Sequence, residues 1–110
     1  MKMLKLKKNY EFQNVYRNGK YFSDRQMVFY IVNNDKRENR YGISAGKKVG
    51  GSVERNRVKR LIKEALKRHA YLLKPGSDIV ILARAGIKGE RFNTVEKSFL
   101  RLINRVNNNG

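Results

Sequence analysis

Apolar positions recur along this chain with two periods, and each period marks a kind of element. Tyr10, Phe12, Val15 and Tyr16 follow helical spacing behind Asn9, a residue type that caps helix starts. That run meets Gly19, a type favoured just past a helix end, so a short first helix is predicted. Residues 26–33 (QMVFYIVN) are dense in β-branched and aromatic side chains and predict a strand. Residues 40–46 (RYGISAG) predict a second, paired with the first as a hairpin across the polar loop NNDKREN. Residues 21–23 add a short edge strand.

From about Val53 to Leu72 the helical period returns in Val58, Leu61, Ile62, Ala65, Leu66, His69 and Leu73, until Lys74-Pro75-Gly76 ends it. Asp78–Arg84 (DIVILAR) is a near-continuous apolar run of strand length, which predicts a central strand buried on both faces. Asn93 and Glu96 stand at capping-box spacing ahead of a last helical stripe, Val95, Phe99, Leu102, Ile103 and Val106. The order αβββαβα predicts an α+β fold. Its sheet is mixed and about four-stranded, with helices packed mainly on one face as a single α/β sandwich. Residues 1–110 form one domain, with a loose basic leader over 1–8 and a loose polar tail over 107–110.

A length of 110 residues with 40% hydrophobic content suits one core. The absence of cysteine excludes disulfides, zinc thiolates and cysteine nucleophiles. Charge changes the picture most. The chain carries 26 Lys and Arg against 9 Asp and Glu, a net +17. Self-repulsion at that level destabilises a compact fold, so a polyanion that neutralises it is expected. Nucleic acid fits best, because aromatics accompany the basic residues, and an anionic membrane surface is the alternative. No apolar run approaches the ~20 residues of a membrane span, and MKMLKLKK leads into no apolar signal core. A cytoplasmic location is therefore expected.

The long helix starts at SVERNRVKR, where the helix dipole prefers acids and this chain supplies mostly cations. Residues 47–68 hold nine cations and two acids. Opposite the apolar stripe lie Asn56, Arg60, Lys63 and Lys67, flanked by Arg57, Arg68 and Lys59, while Arg55 projects near the apolar edge. A merely solvated face mixes signs more evenly, and Glu64 before Arg68 is the main such pair. A phosphate docked at this end reverses the dipole penalty.

Phe12 and Tyr16, four apart, share one face of the first helix. Rings beside a basic groove stack single-stranded bases, at ~1–3 kcal/mol each. Core filling is the alternative for both, although the Tyr16 hydroxyl favours a wet edge. Tyr30 sits mid-strand and can point either way; Tyr10 and Tyr21 read as surface or edge residues.

No catalytic constellation stands out. The carboxylates Glu11, Asp24, Asp35, Glu38, Glu54, Glu64, Asp78, Glu90 and Glu96 are scattered, and none form a two-metal spacing. His69, the single histidine, falls on an apolar face and reads as structural. Ser44 and Ser52 lack an adjacent base, and no phosphate-cradling glycine loop exists.

The stretch GKKVGGSVERNRVKRLIKEAL resembles the signature of the protein subunit of bacterial ribonuclease P, built on an Arg-Asn-Arg core, here Arg55-Asn56-Arg57. The resemblance extends to KKNYEFQNVYRNG, RQMVFYIV, YGISAGKK and PGSDIVILAR, nearly the whole chain. It implies an accessory to a catalytic RNA that removes the 5′ leader from precursor tRNA, with Mg2+ held mainly by RNA. By that resemblance Arg55, Asn56, Arg57, Lys59, Arg60 and Lys63 would face the catalytic RNA. Phe12, Tyr16 and Tyr30 would line a cleft for the leader, with Lys47 and Lys48 beside it. A left-handed crossover into the strand after the long helix is implied too, against the usual preference. Tyr16 stands where the family often has Phe, and Gly46 where it often has a side chain. A structural RNA-binding protein of ribosomal type is the rival. A helix-turn-helix DNA binder fits less well, since a strand precedes the basic helix.

Overall fold

A computed structural model describes residues 3–109. The element order is β1 (Leu4–Lys5), α1 (Asn9–Asn18), β2 (Lys20–Ser23), β3 (Met27–Asn33), β4 (Arg40–Ala45), α2 (Ser52–His69), β5 (Ser77–Ala83) and α3 (Phe92–Asn108). The strands form one five-stranded mixed sheet in the order β1-β4-β5-β3-β2. The α+β class stands, with one strand more than expected.

That extra strand corrects the loose-leader expectation. Within 1–8, β1 pairs in parallel with β4 through Leu4↔Arg40 and Lys5↔Tyr41, and Leu6 N–H donates to the Tyr41 carbonyl at 2.8 Å. Met3 packs on one core and Leu6 is buried in another, so apolar side chains on both faces hold the segment down. The tail expectation also changes, because α3 continues to Asn108.

The predicted hairpin between residues 26–33 and 40–46 does not form. β5 lies between these strands, antiparallel to β3 and parallel to β4. β5 is the strand whose side chains are buried on both sides, so the centre is where its apolar run removes most surface from water. Ile79, Ile81 and Ala83 join Met27, Phe29 and Tyr41 beneath α2 and α3, whereas Val80 points to the opposite core with Leu6 and Val15. Phe29 meets Phe99 of α3 edge to face at 5.1 Å.

Two helices thus cover one face, and α1 alone lies on the other. α1 begins after Lys8, not at a side-chain cap from Asn9: the Glu11 carboxylate accepts the N–H groups of Lys7 and Lys8, both at 2.9 Å. Gly19 ends α1 in extended backbone, and its value lies in close approach. A Cβ there would meet the Val15 carbonyl oxygen at 2.6 Å and that of Ile31 at 2.9 Å. The long helix becomes a short 3-10 turn over Ala70–Leu72. Asn93 and Glu96 form no capping box, since Arg91 precedes the helix and Glu96 faces His69, Oε2 to Nε2, at 2.8 Å. His69 thereby ties α2 to α3.

Candidate nucleic-acid interface

Strand register fixes which side chains share the α1 face of the sheet. Gly42, Val80, Tyr30 and Tyr21 are successive partners across β4, β5, β3 and β2 and form one rung. Phe12 rests at the Gly42 end of that rung. A Cβ on residue 42 would come within 2.5 Å of its ring, so a residue without a side chain makes room for it. Tyr16 meets Tyr30 edge to face at 4.9 Å. Burial raises the Tyr16 hydroxyl above its ordinary value, opposed by its hydrogen bond with Ser44. Lys47 and Lys48 follow in an exposed 3-10 turn just past the Ser44 end of β4, pinned by buried Val49.

β1 covers only the first two residues of β4, and beyond them a cleft of about 490 Å³ opens between α1, β4 and α2. Phe12, Leu6 and Gly42 line one side of it; Asn56, Lys59, Arg60 and Lys63 line the other. One of the suggested rings, Phe12, therefore meets the helix cations here, which the sequence suggested separately. Tyr16, Tyr30, Lys47 and Lys48 lie outside this cleft, along the sheet face and at its end. Lys5 also lines the cleft, which sequence reasoning missed. The signal was the alternation of lysine with apolar residues in MKMLKLKK, a strand pattern read as a loose tail.

The cleft gathers cations with no acid among its lining residues. Lys63 is pulled below its ordinary value, first by the neighbouring Lys5 ammonium and then by Lys67. Such crowding is relieved when an anion enters. Among the described residues, Asn56, Lys59 and Arg60 make no side-chain hydrogen bond, and Asn56 and Arg60 are exposed.

The two arginines of the Arg-Asn-Arg core lie apart from this cleft. Arg57 Nε and Nη2 both donate to the Glu54 carboxylate at 2.8 Å, and Nη1 donates to the Glu90 carbonyl at 2.9 Å. Glu54 also accepts the Gly89 N–H, and Arg57 first, then Gly89, pulls its carboxyl down to about 2. Gly50, at φ +142°, makes the turn that brings Glu54 here. Arg57 thus staples the start of α2 to the loop before α3. Arg55 is half-buried and forms no side-chain hydrogen bond among the described residues. Arg57→Ala is expected to lower the midpoint of chemical denaturation, while Arg60→Ala stays within about 0.5 kcal/mol of the parent. Urea titrations of the two variants check this.

Six of the nine carboxylates are engaged within the fold. Glu11 and Asp78 hold Arg40, Asp24 accepts from Ser98 and Arg101, and Glu64 pairs with Arg68. Among the described residues no three His, Asp or Glu side chains gather as metal ligands. No helix among them is long and apolar enough to cross a membrane.

A family model described as Ribonuclease P matches residues 1–107. The chain belongs to the ribonuclease P protein family. Among curated relatives, the ribonuclease P protein component of Clostridium acetobutylicum is 48% identical over 108 residues, covering 96% of this chain and 91% of its own. That of Clostridioides difficile is 44% identical over 102 residues, covering 92% and 90%. Among solved structures, the Staphylococcus aureus RNase P protein superposes with a TM-score of 0.86 at 34% identity, covering 96% of both chains. The Thermotoga maritima protein gives 0.83 at 27% identity, covering 92% of this chain and 96% of that one. Membership makes the chain a subunit of ribonuclease P, an endoribonuclease, and ribonuclease P RNA its partner.

Proposed function

We propose that this subunit grips the catalytic RNA with the exposed cations of α2 and holds the single-stranded 5′ leader of precursor tRNA along the α1 face of the sheet. One observation carries most weight: Phe12 shares a cleft with Asn56, Lys59, Arg60 and Lys63. A ring that can stack a base and donors that can hold the adjoining phosphates are what a single strand needs. Tyr16 and Tyr30 continue the aromatic surface, and Lys47 and Lys48 supply charge at its end. Arg55 and Arg57 contribute through the shape and charge of the helix start, Arg57 chiefly by fixing that start in place. Lys5 joins the phosphate-facing set.

The protein supplies binding and orientation, and the phosphodiester chemistry belongs to the RNA. Six of the nine carboxylates are tied to Arg40, Arg57, Arg101, Arg68 or His69, and among the described residues no three His, Asp or Glu side chains gather as metal ligands. The ions are instead held mainly by RNA phosphates, and dense positive charge from the protein lowers the ion concentration the RNA needs.

At low magnesium, adding the protein to the large RNA is expected to raise precursor tRNA cleavage, while the protein alone cleaves nothing. Cleavage by the protein alone, or no gain on its addition, would refute this division of labour. Arg60→Ala is expected to weaken assembly and reduce the slope of log affinity against log salt by about one unit. An unchanged slope removes Arg60 from the RNA contact.

A further inference from the structure

Tyr21 has no role in the fold that accounts for its ring. It is 68% exposed on an edge strand. It stands directly opposite Tyr30 in the β2–β3 ladder, on the α1 face of the sheet. The two ring centroids are 6.2 Å apart at an interplanar angle of 41°. Tyr30 in turn contacts Tyr16. Three rings therefore run in contact from α1 to the β2 edge, and the last has its outer surface open to water.

The charge around Tyr21 has one sign. Arg17 lies exposed in the last turn of α1, whereas Lys20, whose ladder partner Ile31 packs on the main core, falls on the opposite face of the sheet. No carboxylate occurs between Glu11 and Asp24, and both of those are held by partners within the fold. An open ring on the face that carries the basic end of α1 suits a nucleobase with its phosphates better than an apolar protein surface.

We infer that Tyr21 is a further stacking site for single-stranded RNA, and that it lengthens the leader footprint beyond the part held by Phe12, Tyr16 and Tyr30. This rests on the leader binding proposed above. Any base has a π face, so the site selects for leader length and not for sequence. Precursor tRNAs whose leaders reach Tyr21 bind more tightly than those whose leaders stop short.

The test measures affinity of the reconstituted holoenzyme for precursor tRNAs with leaders lengthened one nucleotide at a time, and for mature tRNA. Tyr21→Thr removes the ring and keeps a β-branched residue suited to a strand. It is expected to lose about fivefold on the longest leaders only, the lower end of a stacking contribution. Tyr21→Phe is expected to keep that gain. A Thr variant that retains the full gain overturns the inference, as does one that loses equally on mature tRNA, or a Phe variant that loses as much as Thr. Phe12→Ala run alongside separates the two levels. If it cuts the leader gain while Tyr21→Thr does not, only the Tyr21 site falls; if neither changes the gain, leader binding falls as well.

Discussion

Arg40→Met is expected to destabilise the folded protein by about 3 kcal/mol, as removal of one partner from a largely buried ionic cluster does. Arg40 Nε and Nη2 donate to both oxygens of Asp78, at 2.8 and 2.6 Å, and Nη1 donates to Glu11 at 2.8 Å. The Asp78 side chain is only 5% exposed, so without Arg40 it keeps little beyond Asn34. Burial pushes the Asp78 carboxyl up, but Arg40 and then Asn34 outweigh it and hold it below its ordinary value. Glu11 is lowered first by the N–H groups of Lys8 and Lys7, which the substitution leaves in place. Both carboxyls have folded values below their unfolded ones. Their stabilisation is therefore complete above the ordinary carboxylate range and is lost as pH falls through the depressed values. In Arg40→Met burial dominates at Asp78 and that sign reverses, so the variant's deficit against the parent should shrink as pH falls and Asp78 takes up a proton. Urea denaturation at neutral pH and an acid titration followed by circular dichroism check both parts. Adding Asp78→Asn should recover part of the loss; a single variant as stable as the parent would show the cluster to be inert.

Phe12→Ala combined with Tyr16→Ala should remove most of the advantage that precursor tRNA has over mature tRNA in binding the holoenzyme, about a hundredfold from two lost stacks. Phe12→Ala alone should remove part of it. Affinity for mature tRNA serves as the internal control, since a variant with a damaged fold loses on both substrates. An undiminished gap would rule out stacking, and would favour a general RNA-binding role of the kind structural ribosomal proteins play.

The elements of this fold were legible because periodicity reports burial directly. The stripe Val58, Ile62, Ala65 and Leu66 lies in the core, as does Val95, Phe99, Leu102 and Ile103. Pairing was less legible. Chain neighbours β3 and β4 suggest a hairpin, yet the run at 77–83 displaces it by taking the position between them. β1 is two residues long, one of them a lysine, and lies in a lysine-rich stretch, so its strand alternation was weak against its charge. The cations of α2 followed from helical spacing, but their meeting with Phe12 depends on the placement of β4 near the sheet edge. The Glu54–Arg57 bond lies at i,i+3 and was open to inspection. Its further link to the Glu90 carbonyl spans 33 residues, beyond what spacing can reveal.

β5 joins β3 to β4, and this bears on how the protein emerges from the ribosome. Before residue 77 is made, the β2–β3 hairpin can close, but β3 and β4 lack the strand that unites them. A nascent chain halted there exposes open strand edges and half of its main core, and native contacts between distant residues are slow to form. Truncated or stalled products should thus be protease-sensitive, and cooperative structure should appear only when more than two-thirds of the polypeptide has been translated.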